Sequence, residues 1–308
     1  MRFTKPALSF EDQLDRLVSR GLVVRDRELS IHYLSHINYY RLTSYLREFE
    51  VDHSSHLIRP GTTIEQLIAR YDFDRELRLL LLDAIERIEV SIRTQWAYHT
   101  SHMTSPFGYL DSRYSASQKL FARNATALFG ELERSKEPFV LNFKSKYQEP
   151  DAPPSWIASE VMSLGLLSHW YQNLRPYSVR KEISATYALN QQLLESVLHH
   201  LSHIRNLCAH HSRVWNREVV VTYQSPKKPK PLSSAIEGTP KTKIYRSLAL
   251  VSYLMRTVSP TSTWENRLFD LLNVHRPPLE AMGFPPDWIV RPLWIREIPN
   301  KSISCKAE

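Results

Sequence analysis

Two cysteines, Cys208 and Cys305, are all that the 308 residues contain. They provide no disulfide framework, and Cys208 falls on the apolar side of its own helical pattern, as a reduced buried thiol would. Glycine is scarce as well: seven residues are few for a chain built on tight turns and sheets, and the long stretches between them follow helical rather than alternating periodicity. No apolar run is long enough to span a bilayer, since the most apolar one, Leu79 to Leu82, is bounded by Arg78 and Asp83. The opening Met1-Arg2-Phe3-Thr4-Lys5-Pro6 lacks the apolar core of a secretory signal. Neither export nor a membrane is therefore expected, and the cytoplasm is.

An apolar content of 42% at this length supports a large core, with about three quarters of the unfolded surface removed from water. The expected fold is all-α. The formal charge of +8 fits an anionic partner such as nucleic acid, although many basic proteins have none.

Along the chain, Glu11 to Arg20 reads as a helix ended by Gly21, and Asp26 caps a second helix through His32. Tyr39, Tyr40 and Tyr45 interleave with Arg41 and Arg47; they either stack on bases or, the commoner outcome, lie in the core with the hydroxyl at the surface. After the Pro60-Gly61 turn, Ile64 to Ala69 is helical, and a long helix runs from about Phe73 to Tyr98. Asp72, Asp74 and Glu76 lack the glycine turn and distal glutamate of a calcium loop and read as first-turn carboxylates. Further helices are predicted over Ser117 to Ser135, Trp156 to Leu174, from Asn190 past His210, and over Ile244 to Val258. Residues 224 to 243, rich in Lys and Pro, read as a solvated loop or one that touches an RNA backbone. Beyond Pro277, the residues Phe284, Trp288 and Trp294 are packing anchors.

The helix opened by Asn190 carries the chemistry. On a helix His199, His203, Asn206, His210, Arg213 and Arg217 form one ridge, while Leu201, Ile204, Leu207, Cys208 and Trp215 fall on the other side. Arg205 lies roughly 140° from His210, but a guanidinium on its long stem reaches the same phosphate. The ridge holds cationic, titratable and amide groups with no carboxylate, which suits a phosphodiester. Three histidines on this face could also bind zinc, but no carboxylate or thiolate completes such a site nearby. Glu160 is the one carboxylate on its helix and must be exposed or paired, either structurally or with Arg205 or a ridge histidine.

The string Arg205-Asn206-Leu207-Cys208-Ala209-His210-His211-Ser212-Arg213-Val214-Trp215-Asn216 closely resembles the signature of the abortive-infection AbiD/AbiF family, which belongs to the HEPN superfamily of helical ribonucleases. The resemblance extends to His32-Tyr33-Leu34, to Ile37 through Leu42 with Ser44-Tyr45, and to Tyr71 through Arg78. Pro154-Ser155-Trp156 with Glu160, Ser163, Gly165 and Leu167 resembles a third block, and Met282-Gly283-Phe284-Pro285 with Trp288, Pro292 and Trp294 a terminal one. The resemblance implies a HEPN-like helical core over residues 61–260, an N-terminal helical segment (1–60) packed on it, and a Pro/Trp-rich C-terminal extension (261–308).

It also implies an endoribonuclease acting in phage defence. Arg205 and His210 would be catalytic with Asn206 beside them, and Glu160, His203, His211, Arg213 and Asn216 would support the site or bind RNA. RNA cleavage through its own 2′-OH needs a base, an acid and charge stabilisation, with no cofactor or metal. One motif per chain makes a homodimer the expected assembly, although His203 or His211 of the same chain could complete the chemistry. An accessory RNA or an antitoxin protein is the kind of partner that holds such an enzyme silent. The alternative is a non-catalytic helical module that binds RNA or a protein.

Overall fold

The computed structural model describes residues 2, 4, 6–52, 54–103, 105–175 and 177–295; Cys305 lies outside them. The described residues form α-helices, short 3₁₀ turns and isolated β-bridges, with no strand. The helices are α1 (Phe10–Ser19), α2 (Arg27–His36), α3 (Tyr39–Thr43), α4 (Ile64–Met103), α5 (Gln118–Arg134), α6 (Pro138–Lys146) and α7 (Ser155–Val161). They continue as α8 (Leu164–Asn173), α9 (Tyr177–Ala185), α10 (Gln191–Ala209), α11 (Lys230–Ala235), α12 (Ile244–Val258) and α13 (Trp264–His275). Two compact units result, one from Met1–Leu77 with Phe269–Pro277, the other from Arg78–Leu268 with Pro278–Glu308. These limits differ from the segments 1–60, 61–260 and 261–308 read from the sequence.

In the first unit, Ser9 and Asp12 form a capping box that starts α1, and Gly21 ends it at φ +102°, where a side chain would be strained. Asp26 caps α2 as predicted, but the helix runs to His36, because nothing after His32 breaks it until Ile37 turns extended. The helices predicted over Ile64–Ala69 and Phe73–Tyr98 are one, the 40-residue α4. No glycine or proline lies between them to interrupt the hydrogen-bond ladder. Asp72, Asp74 and Glu76 are therefore mid-helix rather than first-turn residues. Asp74 is fully buried and accepts the Tyr45 hydroxyl at 2.6 Å, so Tyr45 is a core residue whose hydroxyl points inward. Tyr40, by contrast, is 77% exposed.

In the second unit, Trp96, Tyr109, Phe121 and Trp170 pack edge to face with ring centroids about 6 Å apart, joining α4, α5 and α8. The helix predicted over Trp156–Leu174 is two, α7 and α8. Met162 is extended, its carbonyl accepts Arg93 Nη2 at 2.8 Å, and Ser163 caps α8 by accepting the Leu166 N–H at 3.2 Å. α6 and α9 have no counterpart among the helices expected from the sequence, nor has α13, and α11 lies inside the stretch read as a loop. The last carbonyls of α11 are held by Arg291 Nη1, at 3.2 Å from Ser234 and 2.9 Å from Ala235, and the same nitrogen donates to the Glu237 carbonyl just beyond the helix at 2.7 Å. α12 follows the predicted limits. Against it Phe284 and Trp294 are buried as the anchors expected, and Trp294 Nε1 donates to the Tyr245 hydroxyl at 3.0 Å.

α8 and α10 pack closely because Gly165 faces Ser202: a Cβ at 165 would stand 3.1 Å from Ser202 Oγ. Gly165→Val should force the helices apart and cost about 1–3 kcal/mol by overpacking. Urea denaturation monitored by circular dichroism will measure it, and unchanged stability would show that the close approach is not required.

Candidate functional site

α10 begins where the sequence predicts: Asn190 Oδ1 accepts the Leu193 N–H at 2.8 Å. Leu193, Leu194, Val197, Leu198, Leu201, Ile204, Leu207 and Cys208 are buried, giving the helix one apolar face. That rotation turns His199 and Asn206 out to solvent and leaves His203 and Arg205 half-exposed. Arg205 Nη1 approaches Asn206 Oδ1 at 3.5 Å, the outer limit of a hydrogen bond.

The helix does not continue past His210. It stops at Ala209, with His210 as the cap residue and His211 in the left-handed region at φ +57°. The Ser212 N–H donates to the Leu207 carbonyl at 2.8 Å and the His211 N–H to the Cys208 carbonyl at 3.0 Å, the paired bonds of a Schellman closure. Glycine normally takes this place; an imidazole there costs about 1 kcal/mol or more. The turn is held from outside the helix. Arg78 of α4, only 5% exposed, donates through Nη1 to the His211 carbonyl at 2.6 Å, a cation seated at the negative end of α10.

The predicted ridge is thus interrupted after Asn206, and His210, Arg213 and Arg217 do not extend it as helical residues. His210 is exposed at the end of the last turn, its N–H bonded to the Asn206 carbonyl at 3.0 Å. Val214 and Trp215 are then buried, which anchors the segment carrying half-exposed Arg213. Asn216 is a second non-glycine residue at positive φ, +43°, and accepts Lys243 Nζ at 3.4 Å. Glu160 joins a different cluster: its carboxylate lies 3.5 Å from Arg93 of α4, not beside Arg205 or a seam histidine.

The structure adds His169 of α8 to the seam, a residue the linear pattern of α10 cannot reveal. Burial lowers its pKa, and the charges of Arg123 and His199 lower it further. The same holds for His203, through burial and then Arg217 and His199. His203 Nε2 is buried with no hydrogen-bond partner among the described residues. Among those residues no group of three His, Cys, Asp or Glu side chains could hold a metal ion. None of their helices is long and apolar enough to cross a membrane.

A family model described as Abi-like protein matches residues 32–216, more than half of the chain and all of the Arg205–Asn216 segment. The chain belongs to the Abi-like protein family. Membership points to abortive infection, a defence against phage. The match takes in the blocks at His32–Tyr45, Tyr71–Arg78 and Pro154–Leu167, while the resembling block at Met282–Trp294 lies beyond it. No curated protein and no solved structure matches the chain.

One α10 histidine is structural, and helical phase alone separates it from its neighbours. His200 is 2% exposed; Nδ1 donates to the Val221 carbonyl at 2.7 Å, so Nε2 of the neutral ring accepts the Ser247 hydroxyl at 3.0 Å. Burial pushes its pKa down to about 4. Folding therefore keeps His200 neutral while the unfolded chain protonates it near its ordinary value of 6.5. Its contribution is complete above pH 6.5 and declines as pH falls toward 4, by on the order of 3 kcal/mol. His200→Phe should be less stable at pH 7, and the gap to wild type should narrow at pH 5; a gap independent of pH in urea titrations would refute the assignment.

Proposed function

We propose that this Abi-like protein is a metal-independent endoribonuclease of the HEPN type, cutting RNA through the internal 2′-OH. The observation that carries the reading is the end of α10. Arg205, Asn206 and His210 stand toward solvent there, on a turn held by buried Arg78, with no carboxylate from residue 199 to 211. A left-handed non-glycine residue at that point is the kind of strain that functional sites retain.

In the reaction, a base takes the 2′ proton as O2′ bonds to phosphorus. The P–O5′ bond breaks, and an acid protonates the leaving O5′. Imidazole exchanges a proton near neutral pH, which suits His210 to one of these transfers. The Arg205 fork holds the two non-bridging oxygens while charge accumulates on them. Asn206, one turn before His210, orients the phosphate or the ring. The second proton transfer falls to His210 of another copy across a twofold axis, with His203 or His211 of the same chain as the other candidates. DNA, lacking the 2′-OH, is refused.

His210→Ala and Arg205→Ala should each reduce cleavage of total RNA by at least about a hundredfold while leaving the helical circular dichroism unchanged. Cuts should persist in EDTA and leave 2′,3′-cyclic phosphate and 5′-hydroxyl ends, and a 2′-deoxy nucleotide at the cut should block them. RNA retained without cleavage by wild type would instead identify a non-catalytic RNA-binding module. If the site is shared between copies, light scattering should return the mass of a dimer under conditions of cleavage; a monomer that cleaves would assign the second transfer to His203 or His211.

A further inference from the structure

A polar pocket of about 290 Å³ opens between α8 and α10 on the seam side of the second unit. Its walls include Gln172 and His169 from α8, Gln192, Glu195 and His199 from α10, and Gln224 from the segment that runs back along α10. The Gln224 N–H donates to Ser196 Oγ at 3.1 Å, which seats that segment on the helix. The Glu195 carboxylate is committed: it accepts Arg180 Nη2, and Gln172 Nε2 at 3.1 Å. The side-chain amides of Gln192 and Gln224 make no hydrogen bond to any described residue.

This lining discriminates among the parts of a nucleotide. No Lys or Arg side chain lines the pocket and a carboxylate does, so it does not suit a phosphate. Primary amides present an adjacent donor and acceptor, the arrangement that pairs with the edge of a base, and imidazole faces stack on heterocycles. The volume lies near the lower limit for small-molecule sites, room for one planar ring system. His199 and His210 are eleven positions apart, roughly 16 Å along a helix axis. A strand with its phosphate at His210 therefore reaches the pocket with a base a few nucleotides away.

We propose that the pocket receives one unpaired nucleobase of the RNA that is cut at Arg205 and His210, and so selects where single strands are cleaved. This rests on the ribonuclease reading. The test is an abasic scan of a short single-stranded RNA containing a cut site, with binding to His210→Ala protein followed by fluorescence anisotropy and cleavage by wild type followed in parallel. One abasic position, a few nucleotides from the cut, should weaken binding about tenfold. In His210→Ala proteins that also carry Gln192→Leu or Gln224→Leu, both at exposed sites, the same position should have no further effect. A flat scan with cleavage intact overturns the pocket and leaves the ribonuclease reading standing. Position-dependent binding without cleavage by wild type keeps a base-binding pocket but overturns the ribonuclease and with it the selection of cut sites; absence of RNA binding overturns both readings.

Discussion

The end of α10 depends on one buried cation. A helix leaves its last carbonyls without partners, and the Schellman closure at Ser212 and His211 satisfies those of Leu207 and Cys208 from within. The left-handed backbone at His211 turns its carbonyl toward α4, where Arg78 donates to it. Without a donor there, the carbonyl would lie against the protein unsatisfied, at a cost comparable to the strain of the turn itself. The position of His210 at the cap, the return of Val214 and Trp215 into the core and the second left-handed residue at Asn216 all follow from where that turn is made.

The second constraint is electrostatic. His199 and His200 differ by 100° of helical phase, and this alone makes one a solvent-facing seam residue and the other a neutral ring locked between Val221 and Ser247. On the seam, His169 and His203 have lowered pKa values because burial and the neighbouring charges of Arg123, Arg217 and His199 oppose their charging. An anion on this face would reverse that balance, so anion binding and proton uptake are linked.

Much of this was legible in the chain. The caps at Asn190 and Asp26, the limits of α12 and the apolar face of α10 follow from local chemistry that acts over a few residues. The breaks that differ from the sequence pattern have a common cause: helical periodicity does not report where a backbone is interrupted by a tertiary partner. Trp156 to Leu174 is periodic throughout, yet Arg93 draws the Met162 carbonyl out of the ladder and Ser163 restarts it. Conversely, nothing local supports the break expected near Tyr71, and α4 runs on.

By itself the sequence determined the fold class, the helix carrying Arg205 and Asn206, and the family to which the chain belongs, because these rest on periodicity, capping chemistry and a contiguous string of residues. Tertiary structure alone decided that α10 ends at Ala209, that Glu160 pairs with Arg93, and that His169 joins the seam from another helix. The physical reason is distance along the chain: Arg78 and His211, or Arg93 and Glu160, meet only when the helices pack. No spacing rule within one helix encodes a partner supplied by another.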